Sequence, residues 1–161
     1  MPAYAILRSS RPPYTLSTDP AMIDLGAVHA FLSTCYWSPG IARERVERAV
    51  ANSLNFGVYD TSSPRPGDQG RPSLVGFARV VTDYASFAYL CDVFVLEPHR
   101  GRGLSRWMMD AAVSHPALRG VRRFCLLTRD AHGLYAKYGF APLPDPSRYM
   151  EKIDRESYKT P

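Results

Sequence analysis

The period of the apolar positions changes several times along this chain, and each change marks an element. Residues 1–13 carry three prolines and no regular pattern, and read as an irregular lead-in. YTLS (14–17) suits a short strand. Asp19-Pro20 then offers a helix start with proline in the first turn. Met22, Leu25, Val28 and Leu32 recur near helical spacing, which predicts a helix over about residues 21–34. CYWSPG (35–40) interrupts it as a loop. Ile41, Val46, Ala49 and Val50 share one face of a second helix, about 42–53, with arginines and glutamates on the other.

Two strands follow, LNFGVYD (54–60) and SLVGFARVVTD (73–83), separated by TSSPRPGDQGRP, which reads as a long hairpin loop. FAYLCDVFVLE (87–97) is almost continuously apolar, the pattern of a strand buried on both faces at the centre of a sheet. Leu104, Trp107, Met108, Ala111 and Ala112 then form one helical stripe that stops at His115-Pro116. VRRFCLLT (121–128) is a further strand, parallel to its predecessor if the helix between them is a right-handed crossover. AHGLYAKYG (131–139) is a short helix ended by Gly139, and FAPL with RYMEKI supplies a last strand or hairpin arm. The order β-α-α-β-β-β-α-β-α-β describes an α/β fold, a mixed central sheet flanked by helices, in one domain over 14–155.

Bulk properties narrow the function classes. No window approaches the roughly 18 apolar residues of a membrane helix, and no signal-peptide pattern opens the chain, so the expected compartment is the cytoplasm. Cys35, Cys91 and Cys125 are far apart with no CxxC, so a zinc ribbon or thioredoxin-like motif is not available and no metal site is expected. Cys91 and Cys125 lie in apolar runs and read as reduced core residues. A formal charge of +5 and a pI near 9.3 permit an anionic partner. The basic residues fall into three groups: Arg43, Arg45 and Arg48; Arg100, Arg102 and Arg106; Arg119, Arg122 and Arg123.

The middle group carries the most chemistry. In EPHRGRGLSRW (97–107), two glycines stand between the long apolar strand and the amphipathic helix. Glycines there let the chain turn tightly and bring backbone N–H groups close to a ligand, while the helix N-terminus adds its own unpaired N–H groups. An anion, above all a pyrophosphate, is favoured. A Walker loop would need GK followed by Ser or Thr, which is absent. In a Rossmann turn the third glycine would fall on Arg106. Taken alone, RGRG reads equally well as a surface turn or an RNA-contacting segment.

Arg100, Gly101, Arg102, Gly103, Leu104 and Ser105 match R-x-x-G-x-[G/A/S], and LYAKYGF (134–140) follows about 30 residues on. The pair resembles the pyrophosphate loop and the short-helix motif of the GCN5-related N-acetyltransferase (GNAT) superfamily, over about residues 74–150. The YW, NSL-FGVY and TRDAHGLY segments are similar to those of short bacterial members. The resemblance implies acetyl-CoA as co-substrate, its pyrophosphate on the amides of Gly101 to Ser105. Its pantetheine arm would lie along the main chain of Val93, Phe94 and Val95, as an added strand does. It places Tyr135 as the proton donor to the departing thiolate. Asp92, the lone charge in the run 87–96, is a candidate general base or equally a structural aspartate; Asp83 is the reserve candidate. Thr128 stands where many members carry an asparagine that contacts the cofactor, and Asp130 offers a cap for the short helix. Tyr36, Trp37, Tyr84 and Phe87 are candidates for the acceptor pocket, or simply cover the core.

The leading reading is therefore an acyl-CoA-dependent N-acyltransferase acting on a small-molecule or peptide amine, with no nucleic-acid or membrane partner expected and a homodimer left open. The alternatives are a non-catalytic acyl-CoA-binding module, or an RNA-binding domain. The last lacks an RNP signature or a KH GXXG loop.

Overall fold

In the computed structural model, which describes residues 5–65, 67–154 and 156–159, six strands stand side by side in chain order. They are β1 (Arg8–Arg11), β2 (Tyr14–Ser17), β3 (Leu54–Arg65), β4 (Asp68–Thr82), β5 (Phe87–Val95) and β6 (Arg123–Leu126). The first four pairings are antiparallel. Only β5 and β6 are parallel, joined by the expected crossover helix. The fold is thus α/β with a mixed sheet.

Several expectations change in detail. Part of the lead-in is a strand: β1 pairs with β2 from Arg8↔Ser17 to Arg11↔Tyr14, so its backbone groups are satisfied despite the lack of apolar alternation. The long loop expected over 61–72 is mostly sheet, because β3 and β4 continue as exposed hairpin arms and pair as far as Arg65↔Asp68. No apolar pattern marks those arms, since both faces meet water. The longest buried run lies in β3, where the seven residues Leu54–Asp60 are all buried. β5 lies next to the edge strand and alternates in exposure at its start, with Phe87 exposed. Among the described residues no strand follows β6: FAPL and RYMEKI are irregular, with 3-10 turns at Pro146–Arg148 and Ser157–Lys159.

Among the described residues four α-helices cover the sheet. The first, α1 (Leu25–Leu32), starts later than the apolar spacing predicts. Asp19 caps a separate 3-10 turn, Pro20–Met22; Asp24 caps α1 itself, accepting from the Ala27 N–H at 3.0 Å. Extended Ile23 separates the two turns. With α2 (Arg43–Ala51), α1 packs on one face, where Val28, Leu32, Val46 and Val50 meet Tyr59, Phe77 and Phe94. On the other face α3 (Leu104–Ser114) buries the whole predicted stripe and, in addition, Met109. Full burial of each such large apolar side chain contributes about 1.5–3 kcal/mol. The short α4 (His132–Tyr135) packs on the same side, with Leu134 and Tyr135 against that core.

His115 ends α3 as a buried polar group, 1% exposed and edge-on to Phe56. Its Nδ1 accepts from the Ala117 N–H. Burial pushes its pKa down. The folded state therefore binds fewer protons than the unfolded chain once pH falls through the ordinary histidine value of about 6.5, and stability declines below it. We expect the melting temperature to fall between about pH 7.5 and 5.5, and the slope to shrink in His115→Gln; thermal unfolding across that range checks both.

Candidate active site

A β-bulge in β5 organises the site. Phe77 pairs with Phe94 and Arg79 with Cys91, so the single residue Ala78 faces both Asp92 and Val93. Asp92 takes φ 54°, a left-handed conformation that aspartate tolerates better than most side chains. A bulge bends its strand and ends regular pairing. Beside it, the pairing of β5 with β6 runs from Phe87↔Arg123 to Leu90↔Leu126 and stops. The β6-facing edge of Cys91–Val95 is therefore left without a strand alongside it.

Where β5 ends, a 3-10 turn (Glu97–His99) leads into the glycine loop. Gly101 and Gly103 have φ 76° and 75°, which explains glycine at both positions. A Cβ at either would meet no atom within 4 Å, so the space before them is open. The first intrahelical bond of α3 is from the Trp107 N–H to the Gly103 carbonyl. The N–H groups of Leu104, Ser105 and Arg106 precede it and have no intrahelical acceptor. They border a groove of about 510 Å³ lined by Val95, the run from His99 to Arg106, and Leu134. Leu134 comes from LYAKYGF, so one groove joins both sequence motifs. Arg100 does not reach outward with all its donors, because its Nε donates to the Val95 carbonyl at 3.0 Å.

Tyr135 is buried beside this groove, its ring edge-on to Phe140. Burial raises its pKa, helped by nearby Tyr36 and Asp130, so the phenol keeps its proton through the neutral range. Tyr138 ties the motif to α3 by donating to the Arg106 carbonyl and to Asp110. Asp130 does not cap α4, whose N-cap is Ala131 with no side-chain bond; Thr128 Oγ1 accepts from the Ala131 N–H at 3.0 Å in the turn before the helix. Asp130 instead pairs with Arg129.

On the α1/α2 side, Asp92 is held from two directions. Arg79 Nε donates to Oδ2 at 2.7 Å, and Trp37 Nε1 donates to Oδ1 at 3.3 Å. Arg79 Nη1 also reaches Ser53. Asp92, Arg79, Arg45 and Arg48 line a second pocket of about 220 Å³, together with apolar residues of α1 and α2. Trp37 reaches Asp92 and Tyr36 packs edge-on against Trp37, but neither lines the pocket, and the Tyr36 ring is covered by the Arg129 guanidinium, 3.8 Å from its centroid. Tyr84 is not brought there. It sits in the β4–β5 turn and packs on the α3-side core, at the far end of β5 from the groove. Asp83 is ruled out as a reserve base: Ser86 and the backbone of Ala85, Ser86 and Phe87 all donate to it, holding its pKa far below the usual carboxylate range. Its role is to shape the turn. The thiols Cys91 and Cys125 are free but only partly buried, and Cys91 is pushed up to about 12 by burial. Arg79 was not singled out in the sequence. It is the lone charge in the apolar run LVGFARVV, as Asp92 is in its own strand, and that symmetry was the available signal.

The comparisons with known proteins agree with this geometry. The acetyltransferase (GNAT) family model matches residues 52–140. A putative acetyltransferase of Gibberella zeae is 34% identical, covering 80% of this chain and 78% of that protein. The crystal structure of a putative GNAT-family acetyltransferase from Xanthomonas campestris pv. campestris superposes with a TM-score of 0.81 at 47% identity, over 94% of this chain and 100% of that one. A predicted acetyltransferase of Clostridium acetobutylicum, solved with acetyl-CoA, shares the fold at 16% identity and a TM-score of 0.58, over 87% and 94% of the two chains. The chain belongs to the GNAT acetyltransferase family and is an N-acetyltransferase. Among the described residues no helix is long and apolar enough to cross a membrane.

The Arg79–Asp92 pair is well sheltered, its side chains 15% and 12% exposed. Asp92→Ala would leave a buried guanidinium without its partner, a loss of about 3–5 kcal/mol. Glu47→Ala, at the exposed Arg43–Glu47 pair, should cost under about 1 kcal/mol. Denaturant unfolding of the two variants checks the contrast.

Proposed function

We propose that this chain transfers an acetyl group from acetyl-CoA to a primary amine by direct attack, and that Tyr135 supplies the proton taken up by the departing thiolate. The observation that carries the reading is the single groove shared by RGRGLS and LYAKYGF at the point where β5 parts from β6. The donor set fits a pyrophosphate: two left-handed glycines with open space before them, then helix N–H groups without intrahelical acceptors. Gly101, Arg102, Gly103, Leu104 and Ser105 would hold it, with the Arg102 and Arg106 charges beside them. The open edge of Val93, Phe94 and Val95 would take the pantetheine amides as a strand takes its neighbour. Bound there, acetyl-CoA supplies an activated thioester carbonyl and a thiolate leaving group.

The remaining work falls to this chain's own groups. A main-chain N–H of the Val93–Val95 edge would polarise the carbonyl oxygen, since a preorganised donor in a dry site stabilises developing charge. The amine nitrogen forms its bond to the carbonyl carbon as the carbon–sulfur bond breaks. Tyr135 gives its phenolic proton to the sulfur. Asp92 receives the proton lost by the amine, directly or through water; each of its oxygens accepts one hydrogen bond and retains a second lone-pair site. Thr128 Oγ1 accepts from the Ala131 N–H and keeps its own proton, which it could donate to the cofactor.

Acetyl-CoA at about 100 times its dissociation constant should stabilise the fold by about 2.7 kcal/mol. For a chain of this size the melting temperature should then rise by about 5–10 °C. Gly103→Asp should remove the shift. Tyr135→Phe should keep it and lower kcat by about 10²–10⁴-fold, read as release of CoA thiol. Absence of any shift at millimolar acetyl-CoA would overturn the proposal; a shift without thiol release from any amine would make the chain a binding module.

A further inference from the structure

A set of polar groups stands behind the glycine loop, and no step of the transfer uses it. Tyr14 of β2 and Asp60 of β3 are cross-strand partners, and both are buried. His99 ends the 3-10 turn after β5 and meets both of them. Its Nδ1 lies 3.0 Å from the Tyr14 hydroxyl and 4.0 Å from Asp60 Oδ2, and the Tyr14 and His99 rings meet edge-on. Asp60 is held as an anion. The Ser62 hydroxyl and N–H both donate to its Oδ1, and these bonds keep its carboxyl below the usual carboxylate range, with the Arg102 charge adding to the effect.

The other ring nitrogen is placed differently. Among the described residues Nε2 of His99 has no hydrogen-bond partner. The residue lines the groove before α3, two positions ahead of Gly101. Where Nδ1 accepts from the Tyr14 hydroxyl, the neutral ring carries its proton on Nε2. With both nitrogens protonated, the ring is a cation with the Asp60 carboxylate on one side and the groove on the other. An anion in the groove would face Asp60 across an uncharged ring, but a protonated ring separates the two negative charges and attracts both. Hydrogen bonds between charged partners are also about twice as strong as neutral ones. The titratable and charged groups that the structure sets around His99 are Tyr14 from β2, Asp60 from β3, and Glu97, Arg100 and Arg102 from its own turn and loop; Arg100 directs its Nε to the Val95 carbonyl.

From this arrangement we infer that His99 is a phosphate-binding residue: its Nε2–H donates to the cofactor pyrophosphate, and the protonated ring binds that group more tightly than the neutral one. The inference rests on the acetyl-CoA reading of the groove and adds a titratable donor to the main-chain amides of Gly101 to Ser105. Cofactor affinity then depends on pH across the range in which histidines exchange their proton, about pH 5–8, and tightens as the pH falls.

The probe is 3′-dephospho-CoA, which keeps the pyrophosphate and lacks the 3′-phosphate, a group that itself titrates at about pH 6. Its binding to the full chain is measured by calorimetry from about pH 6 to about pH 8.5, with CoA run beside it. We expect the dissociation constant to rise about tenfold or more across that range. Binding near neutral pH should also take up protons, read from the heats in buffers of different ionisation enthalpy. His99→Gln keeps a neutral donor; it should weaken binding about tenfold or more at the low end, change it little at the high end, and so flatten the profile. A flat wild-type profile without proton uptake would overturn the inference with no variant needed. So would a His99→Gln protein that keeps the wild-type profile, or one that binds equally more weakly at every pH, the mark of a residue that only anchors the loop. Binding of CoA without binding of 3′-dephospho-CoA would overturn it as well. All of these results leave the acetyl-CoA reading standing. Failure of both compounds to bind at millimolar concentration would instead remove the reading beneath it.

Discussion

The contact between Arg79 and Asp92 is the constraint on which the site depends. Asp92 occupies a left-handed conformation, which costs a non-glycine residue of order 1–3 kcal/mol and persists only where its surroundings enforce it. Here the enforcement is a sheltered ion pair across β4 and β5, sealed by the Trp37 indole from the loop after α1. Phe31, on α1, stacks on Phe94 with centroids 3.9 Å apart and holds the next turn of the bulged strand. With the bulge fixed, β5 cannot stay in register with β6. The groove before α3 and the arginine-lined pocket lie on either side of that one displaced segment.

The three arginine groups of the sequence resolve into different settings. Arg100, Arg102 and Arg106 border the groove. Arg45 and Arg48 border the pocket, whereas Arg43 turns away to pair with Glu47. Arg123 begins the edge strand β6. Arginines of two of the three groups therefore border the two concave sites of the described structure.

Much of the fold was legible because burial writes itself into sequence. The α3 stripe, the apolar core of β3 and the parallel crossover all follow from periodicity, and each is present. The two glycines of the loop were readable because a left-handed turn admits little else. What the pattern did not show has a common physical origin: those elements are defined by partners, not by apolar faces. β1 exists because β2 offers it a ladder, and the distal hairpin arms because each satisfies the other, with water on both sides. The converse failure is RYMEKI, expected as part of a last strand or hairpin arm yet without a ladder among the described residues. Tyr84 and Asp83 misled for a related reason. An aromatic or an acid near a strand end looks functional until its turn is seen, and here Asp83 is consumed by four donors within that turn. Arg79 was the opposite case, an isolated charge whose meaning appears only when β4 is laid against β5.

The sheet is held very unevenly. β3 and β4 pair over a long hairpin, whereas β5 and β6 share only four residue pairs at one edge. Proteins open in cooperative units of differing free energy, and the units with fewest shared bonds open first. In this chain two edges are held by four pairs each, β1 on β2 and β6 on β5, and the second leads into α4, the part that carries Tyr135 and Leu134. Free energy from a ligand bound in the groove would therefore be delivered beside one of the two weakly paired edges of the sheet. The long hairpin, already stable without it, would have little to gain, so the ligand and the sheet divide the work of keeping the native state closed.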